Sequence, residues 1–321
     1  MKTALTALIF ASIPLNAAAF LFGGTSDKKA VDLIGVMAAG FAAGDCPAVV
    51  EISGELLGEK PPPEIKEKAY SYLGRCYESQ GLADKAITMY KLAHGLYPEN
   101  RFFPARLAAI YLRSGFYDLA VPLFEEALRD RPDDIQANAG LARSYASMGF
   151  LSKAKTYYSR AVILGEFGNL TLMKEYIGWM LKKRDWEETE LIAGYAGKLA
   201  PEDAQLSEAL ARVAAGRGDH KQAALKMREA VSLAPSDTAL ALELALTEFL
   251  AGDYDAALAS VPVRERESNA LALVIRGMAL RKKGDMPGSL ECFRKASDIG
   301  GRSFVAAFAA ALAGPGGKNA H

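Results

Sequence analysis

The chain has 321 residues, 50% of them apolar and 24% charged, the make-up of an ordinary folded protein and not of a disordered or fibrous one. Its 38 Lys and Arg balance 38 Asp and Glu, so net charge points to neither a nucleic-acid partner nor a charged membrane surface. Its three cysteines and three histidines show no ligand spacing, so neither a metal nor any other cofactor is expected.

At the N-terminus, Lys2 precedes an apolar run from Ala4 to Leu15, followed by small residues at Ala17 and Ala19. A basic start, an apolar stretch and a small-residue end make a secretory signal peptide over residues 1–19, with cleavage expected after Ala19. The run is shorter than the ~20 residues that span a bilayer, and no other segment approaches that length. The mature chain is therefore expected to be exported, without stable membrane insertion. Residues 20–29, which include Gly23 and Gly24, read as a linker. In an oxidising compartment Cys46 and Cys76 could pair. Cys76 and Cys292 also fit helical packing patterns, where cysteine serves as a small apolar residue, and unpaired burial is the favoured expectation.

From residue 30 the chain repeats itself. Gly81, Gly115 and Gly149 are 34 residues apart; after a gap of 69, Gly218 and Gly252 repeat that spacing, and Gly284 follows after 32. Five positions beyond each glycine stands a small residue: Ala86, Ala120, Ala154, Ala223, Ala257 and Ser289. The long gap holds one degenerate unit with Arg184 in the glycine slot and Thr189 in the small slot, and Gly44 with Val49 fits the same pairing upstream. A bulky residue follows the small one at Tyr90, Phe124, Tyr158, Met227 and Phe293, and Pro98, Pro132, Pro201 and Pro235 close their units. Each unit reads as two amphipathic helices, a turn glycine and a helix-ending proline.

These residues resemble the tetratricopeptide repeat family. The best unit, Leu73-Gly74, Tyr77, Gly81, Ala86, Tyr90, Ala93 and Pro98, keeps nearly every family position except an early tryptophan. The resemblance covers about 270 residues and implies an all-α, right-handed α-solenoid of eight helical hairpins over residues 30–302. A capping helix over 303–313 and a flexible tail over 314–321 complete it. It further implies a non-enzymatic scaffold that binds other proteins or peptides. Joined to a signal peptide, such repeats suggest a periplasmic or secreted adaptor in bacterial envelope assembly, secretion or export.

Three departures carry structural expectations. Pro262 falls within the second helix of unit seven, which should kink or stop early. Gly194 and Gly197 weaken the corresponding helix of unit five. Pro47, Pro122 and Pro287 are placed in the first turns of their helices, where proline is tolerated.

No chemistry rises above this background. His94 and His220 read as exposed surface residues, and the pairs Glu125-Glu126, Asp133-Asp134 and Glu187-Glu188 as helix caps or solvated faces. Asn169-Leu170-Thr171 matches a glycosylation acceptor, a triplet common by chance.

In the resembled family the first helix of each hairpin lines a concave groove. The groove-facing stripe here collects Lys68, Arg75, Arg106, Arg113, Arg143, Lys174, Lys182 and Arg212 against Glu78, Glu175 and Glu208, an excess of 8 minus 3, or +5. Such a stripe suits an acidic peptide, because guanidinium forks match carboxylates. The bland reading is that these cations pair with acids on neighbouring hairpins. In units seven and eight the stripe turns apolar, with Leu242, Leu246, Phe249, Leu271, Val274 and Met278, and the final helix adds Phe304 and Phe308 without a charge. These are candidates for an apolar anchor or a self-association face, with burial under the chain's own helices slightly favoured for the first group. An envelope polysaccharide binder and a structural oligomer are the alternative readings.

Overall fold

The computed structural model describes residues 25–301 and 303–314, so the expected signal peptide over residues 1–19 and most of the expected tail lie outside the described residues. Seventeen α-helices and no strand occur among them. The protein is an all-α solenoid of eight helical hairpins and a final helix, divided into two compact units at residues 164 and 165.

The first unit holds hairpins one to four: α1 (Thr25–Ala42) with α2 (Cys46–Gly58), α3 (Pro63–Ser79) with α4 (Ala83–Leu96), α5 (Phe102–Arg113) with α6 (Tyr117–Asp130), and α7 (Ile135–Ser147) with α8 (Leu151–Leu164). The second holds α9 (Leu170–Lys183) with α10 (Trp186–Leu199), α11 (Ala204–Gly216) with α12 (His220–Leu233), α13 (Thr238–Leu250) with α14 (Tyr254–Ser260), α15 (Ala270–Lys282) with α16 (Met286–Gly300), and the single α17 (Phe304–Ala313). Helix α1 begins at Thr25, inside the segment expected as linker.

Each hairpin closes because its turn residue adopts a left-handed backbone. Seven turn glycines do so, Gly81 at φ +73° among them, and Arg184 occupies the degenerate slot at φ +58°. An L side chain is strained there, and Arg184 tolerates it because the turn bonds on both sides are made: its N–H donates to Leu181 and that of Asp185 to Met180. Behind the turn, the small-residue column is buried without exception, from Val49 and Ala86 through Thr189 to Ser289. Close approach is marked where α3 crosses α4. A Cβ on Gly74 would lie 2.3 Å from the Tyr90 ring, and Gly277 stands in the same relation to Phe293 at 2.6 Å.

Side-chain caps fix several starts. Asp134 accepts from Ala137 N, Asn169 from Leu172 N, and Asp237 from Ala239 N and Leu240 N. The carbonyl oxygen of Asn169 is thus committed to holding α9. Helix α14 stops after seven residues at Ser260, with Val261 buried and Pro262 next, as the proline requires. Helix α10 runs unbroken through Gly194 and Gly197. Pro122, by contrast, lies in the second turn of α6 rather than the first, because that helix already starts at Tyr117.

Cys46 and Cys76 form a disulfide with Cα atoms 5.3 Å apart, correcting the expectation of two packed thiols. The first residue of α2 and the last turn of α3 are brought together by hairpin stacking, a proximity that separation along the chain does not reveal. Cys292 is the free, buried cysteine. His94 and His220 are half-buried, each with a buried Nδ1, and not exposed as expected.

Two outcomes test this description. Arg184→Gly should stabilise the second unit by about 1 kcal/mol through relief of the left-handed strain, read as a higher urea midpoint. Reducing the disulfide should destabilise the first two hairpins by about 3 kcal/mol. Amide exchange should then rise in α2 and α3 while α11 to α13 stay protected.

Candidate functional site

The expected basic stripe divides between the two units, and most of its cations are engaged. In the first unit Glu78, in the last turn of α3, is the common acceptor, its side chain only 8% exposed. Arg106 donates to both of its oxygens, Nε at 2.8 Å and Nη2 at 2.6 Å; Arg113 Nη2 donates at 2.9 Å and the Tyr90 hydroxyl at 2.7 Å. Burial pushes the Glu78 carboxyl up, but the bonds from Tyr90, Arg106 and Arg113 outweigh it and hold the group below its ordinary value. Arg75 lies over the Phe41 ring with its guanidinium carbon 4.3 Å from the centroid. Lys68 is exposed.

In the second unit Lys174 donates to Asp203 at 2.6 Å, and Arg212 is held by both oxygens of Glu243 at 2.9 Å and by Glu208 at 2.7 Å. Lys182 is exposed. The expected excess of +5 is therefore overstated: Asp203 and Glu243 arrive from adjoining segments that the stripe count left out, and they neutralise its cations.

What the first unit does assemble is a cavity of about 510 Å³ between α5 and α7, with α6 behind it. Small residues keep it open: Ala105 and Ala109 from α5, Ala137 and Gly140 from α7. Leu112, Leu123 and Phe124 supply its apolar surface. Gly140 is obligatory, since a Cβ there would lie 2.3 Å from the Phe124 ring and push it out of place. Arg101, Arg106, Arg113, Arg131 and Arg143 line the cavity against Glu126, Asp130 and Asp134; with Glu78 behind Arg106 the balance is five minus four, or +1. Arg101 is bound to Glu126 at 2.8 Å and Asp130 at 2.6 Å, and Arg131 to Asp134 at 2.7 Å. An apolar hollow of this size with polar groups at its edge is the form of a ligand site. The stripe thus led to Arg106, Arg113 and Arg143 but missed the small residues that make the space. Gly140, inside a helix that propensity disfavours, was the signal available for them.

The apolar candidates separate. Leu242 is buried with Ala245, Val261, Ala272 and Ile275, and Leu246 and Met278 pack against that cluster, so α13 and α15 cover one another. Phe249 is half-buried beside Tyr254, Val274 is buried, and Leu271 is 40% exposed. Phe304 and Phe308 are exposed and stack on each other at 6.3 Å. Among the described residues no group of His, Cys, Asp or Glu could hold a metal, and no helix is long and apolar enough to cross a membrane.

Glu78 offers a test by acid. A carboxyl held below its ordinary value contributes fully at neutral pH, and that contribution is lost as the pH falls through the ordinary carboxylate range to the folded value. Glu78→Gln should lower the unfolding free energy by about 3 kcal/mol at pH 7, because two guanidiniums lose their carboxylate, and should flatten this acid dependence in urea titrations.

The tetratricopeptide repeat model matches residues 106–169 and 208–261, which fall in hairpins three, four, six and seven. A tetratricopeptide repeat protein from Parabacteroides merdae is similar in structure at 18% identity and a TM-score of 0.53, over 77% of this chain and 98% of its own. PilW, a widely conserved type IV pilus biogenesis factor, is similar at 18% identity and a TM-score of 0.50, over 65% of this chain and 97% of its own. At such identity these likenesses establish the fold alone. No curated protein matches the chain.

Proposed function

We propose that this chain of tetratricopeptide hairpins is an exported, non-enzymatic adaptor that holds a protein or peptide segment in the cavity between α5 and α7. The fold is in general a protein-interaction scaffold, and the cavity carries the reading for this chain. Its small-residue walls leave room for one bulky apolar side chain of a ligand. Arg106 and Arg113 at its edge share the single Glu78 carboxylate and favour an acidic neighbour to that side chain. The groove is therefore more apolar and less basic than the stripe alone suggests.

Export rests on the signal-like segment over residues 1–19, and the Cys46–Cys76 disulfide supports it, since such bonds persist in oxidising compartments and are rare in reducing ones. A periplasmic role in envelope assembly, secretion or export suits both. PilW serves type IV pilus biogenesis, and its likeness to this chain transfers the fold and not that task.

Affinity capture from envelope extract tests the proposal, with the unmodified chain beside Ala109→Trp, which fills the cavity, and Arg113→Glu, which inverts charge at its edge. A discrete protein retained by the unmodified chain, lost with Ala109→Trp and weakened several-fold by Arg113→Glu or by raising salt from about 0.1 to 1 M, is the expected outcome. Equal retention by all three baits would remove the cavity as the site.

A further inference from the structure

The position just after the turn residue divides the hairpins into two chemical kinds. In hairpins one, six, seven and eight it is an aspartate whose carboxylate caps the second helix: Asp45 accepts from Ala48 N, Asp219 from Gln222 N, Asp253 from Ala256 N and Asp285 from Gly288 N. Hairpin five keeps Asp185 in the slot. Hairpins two, three and four instead place Leu82, Phe116 and Phe150 there, and none of these side chains can cap. Losing an N-cap costs a helix about 1 kcal/mol, and these three residues also stand 40%, 50% and 51% exposed. Three consecutive hairpins thus give up a stabilising carboxylate for an apolar group in water.

Because the slots are equivalent in consecutive hairpins, the three side chains form one row along the turn edge of the first unit. Leu119, Met148 and Leu151 widen it, at 45%, 39% and 44% exposure. Phe116 and Phe150 lean edge-on against Tyr111 and Tyr145, which props them outward. A lysine accompanies each turn: Lys85 lies over Tyr77, Lys91 over Tyr111 and Lys153 over Tyr145, with ammonium groups 5.6, 5.8 and 4.7 Å from the ring centroids. Asp84 and Asp118 stand in the first turns of their helices, and Glu125 accepts from the Tyr145 hydroxyl at 2.8 Å.

We propose that this edge rests on an anionic lipid surface, with Leu82, Phe116 and Phe150 entering the headgroup region and Lys85, Lys91 and Lys153 meeting lipid phosphates. The row stands at successive turn tips, which suits a soft planar partner. Apolar tips with long amphipathic cations beside them match the two layers of a bilayer interface. At the tip position itself hairpins two to four carry no carboxylate, and Asp84 and Asp118 follow two residues further on, facing the same three lysines. The edge shares no residue with the lining of the α5–α7 cavity, so the two proposals are tested by different variants.

The test is sedimentation with vesicles of phosphatidylglycerol and phosphatidylethanolamine, using the chain in the processed form recovered from an expressing cell. It is compared with the triple variant Leu82→Asp, Phe116→Asp, Phe150→Asp, which restores the cap found in the other hairpins and should melt no lower than the parent. A second triple variant with serine at the three positions caps without adding charge. The parent should sediment with vesicles, and both variants should bind at least about tenfold more weakly. Equal sedimentation of parent and serine variant, or no sedimentation of the parent, overturns the proposal. Concentration-dependent self-association that the variants abolish, without vesicle binding, would overturn it in favour of a second copy of the chain on the row.

Discussion

The molecule depends on how near two helices can come. Five positions past each turn the side chain is small and fully covered, and at Gly74 and Gly277 even a methyl group would collide with the ring opposite. That closeness lets a hairpin of some thirty residues bury a core it could not build alone, by sharing it with the next hairpin. The same constraint makes the cavity. Gly140 yields its space to Phe124, and the alanines on α5 and α7 leave between two first helices a volume that larger residues would fill.

Polar groups follow the logic of shared surfaces. Glu78 belongs to one hairpin by sequence, yet its carboxylate is satisfied by Tyr90 from its own hairpin and by Arg106 and Arg113 from the next. Glu248 is its counterpart in the second unit, nearly inaccessible, accepting from Arg228 of the preceding hairpin and from Ser260 at the point where α14 ends. Each such acid joins three helices, so the hairpins are held in register by directed bonds as well as by apolar contact.

Much of this was legible in the sequence, because a repeat writes its architecture many times over. The spacing of glycines identified even Arg184 as a turn residue, and its left-handed backbone agrees. Pro262 announced the short α14. What the sequence concealed were relations between neighbouring repeats. Asp203 and Glu243 sit about thirty residues from the cations they neutralise, and a stripe read along single helices does not meet them. The disulfide was hidden for the same reason, and so was the burial of one histidine ring nitrogen at each of His94 and His220. The exposure of Phe116 and Phe150 was concealed differently: an apolar residue beside a turn glycine reads as packing until the surface around it is known.

A stacked array of this kind loses structure from its ends, one layer at a time, because an end hairpin has a neighbour on one side only. The disulfide links the second helix to the third and so rivets all but α1 of the N-terminal layer to the one behind it. Among the described residues the second unit has no such covalent link: its cysteine, Cys292, is free, and its last described helix, α17, is uncharged with Phe304 turned almost wholly to water. The two units are thus fastened differently, one by a bond that survives local opening and the other by packing and ion pairs alone.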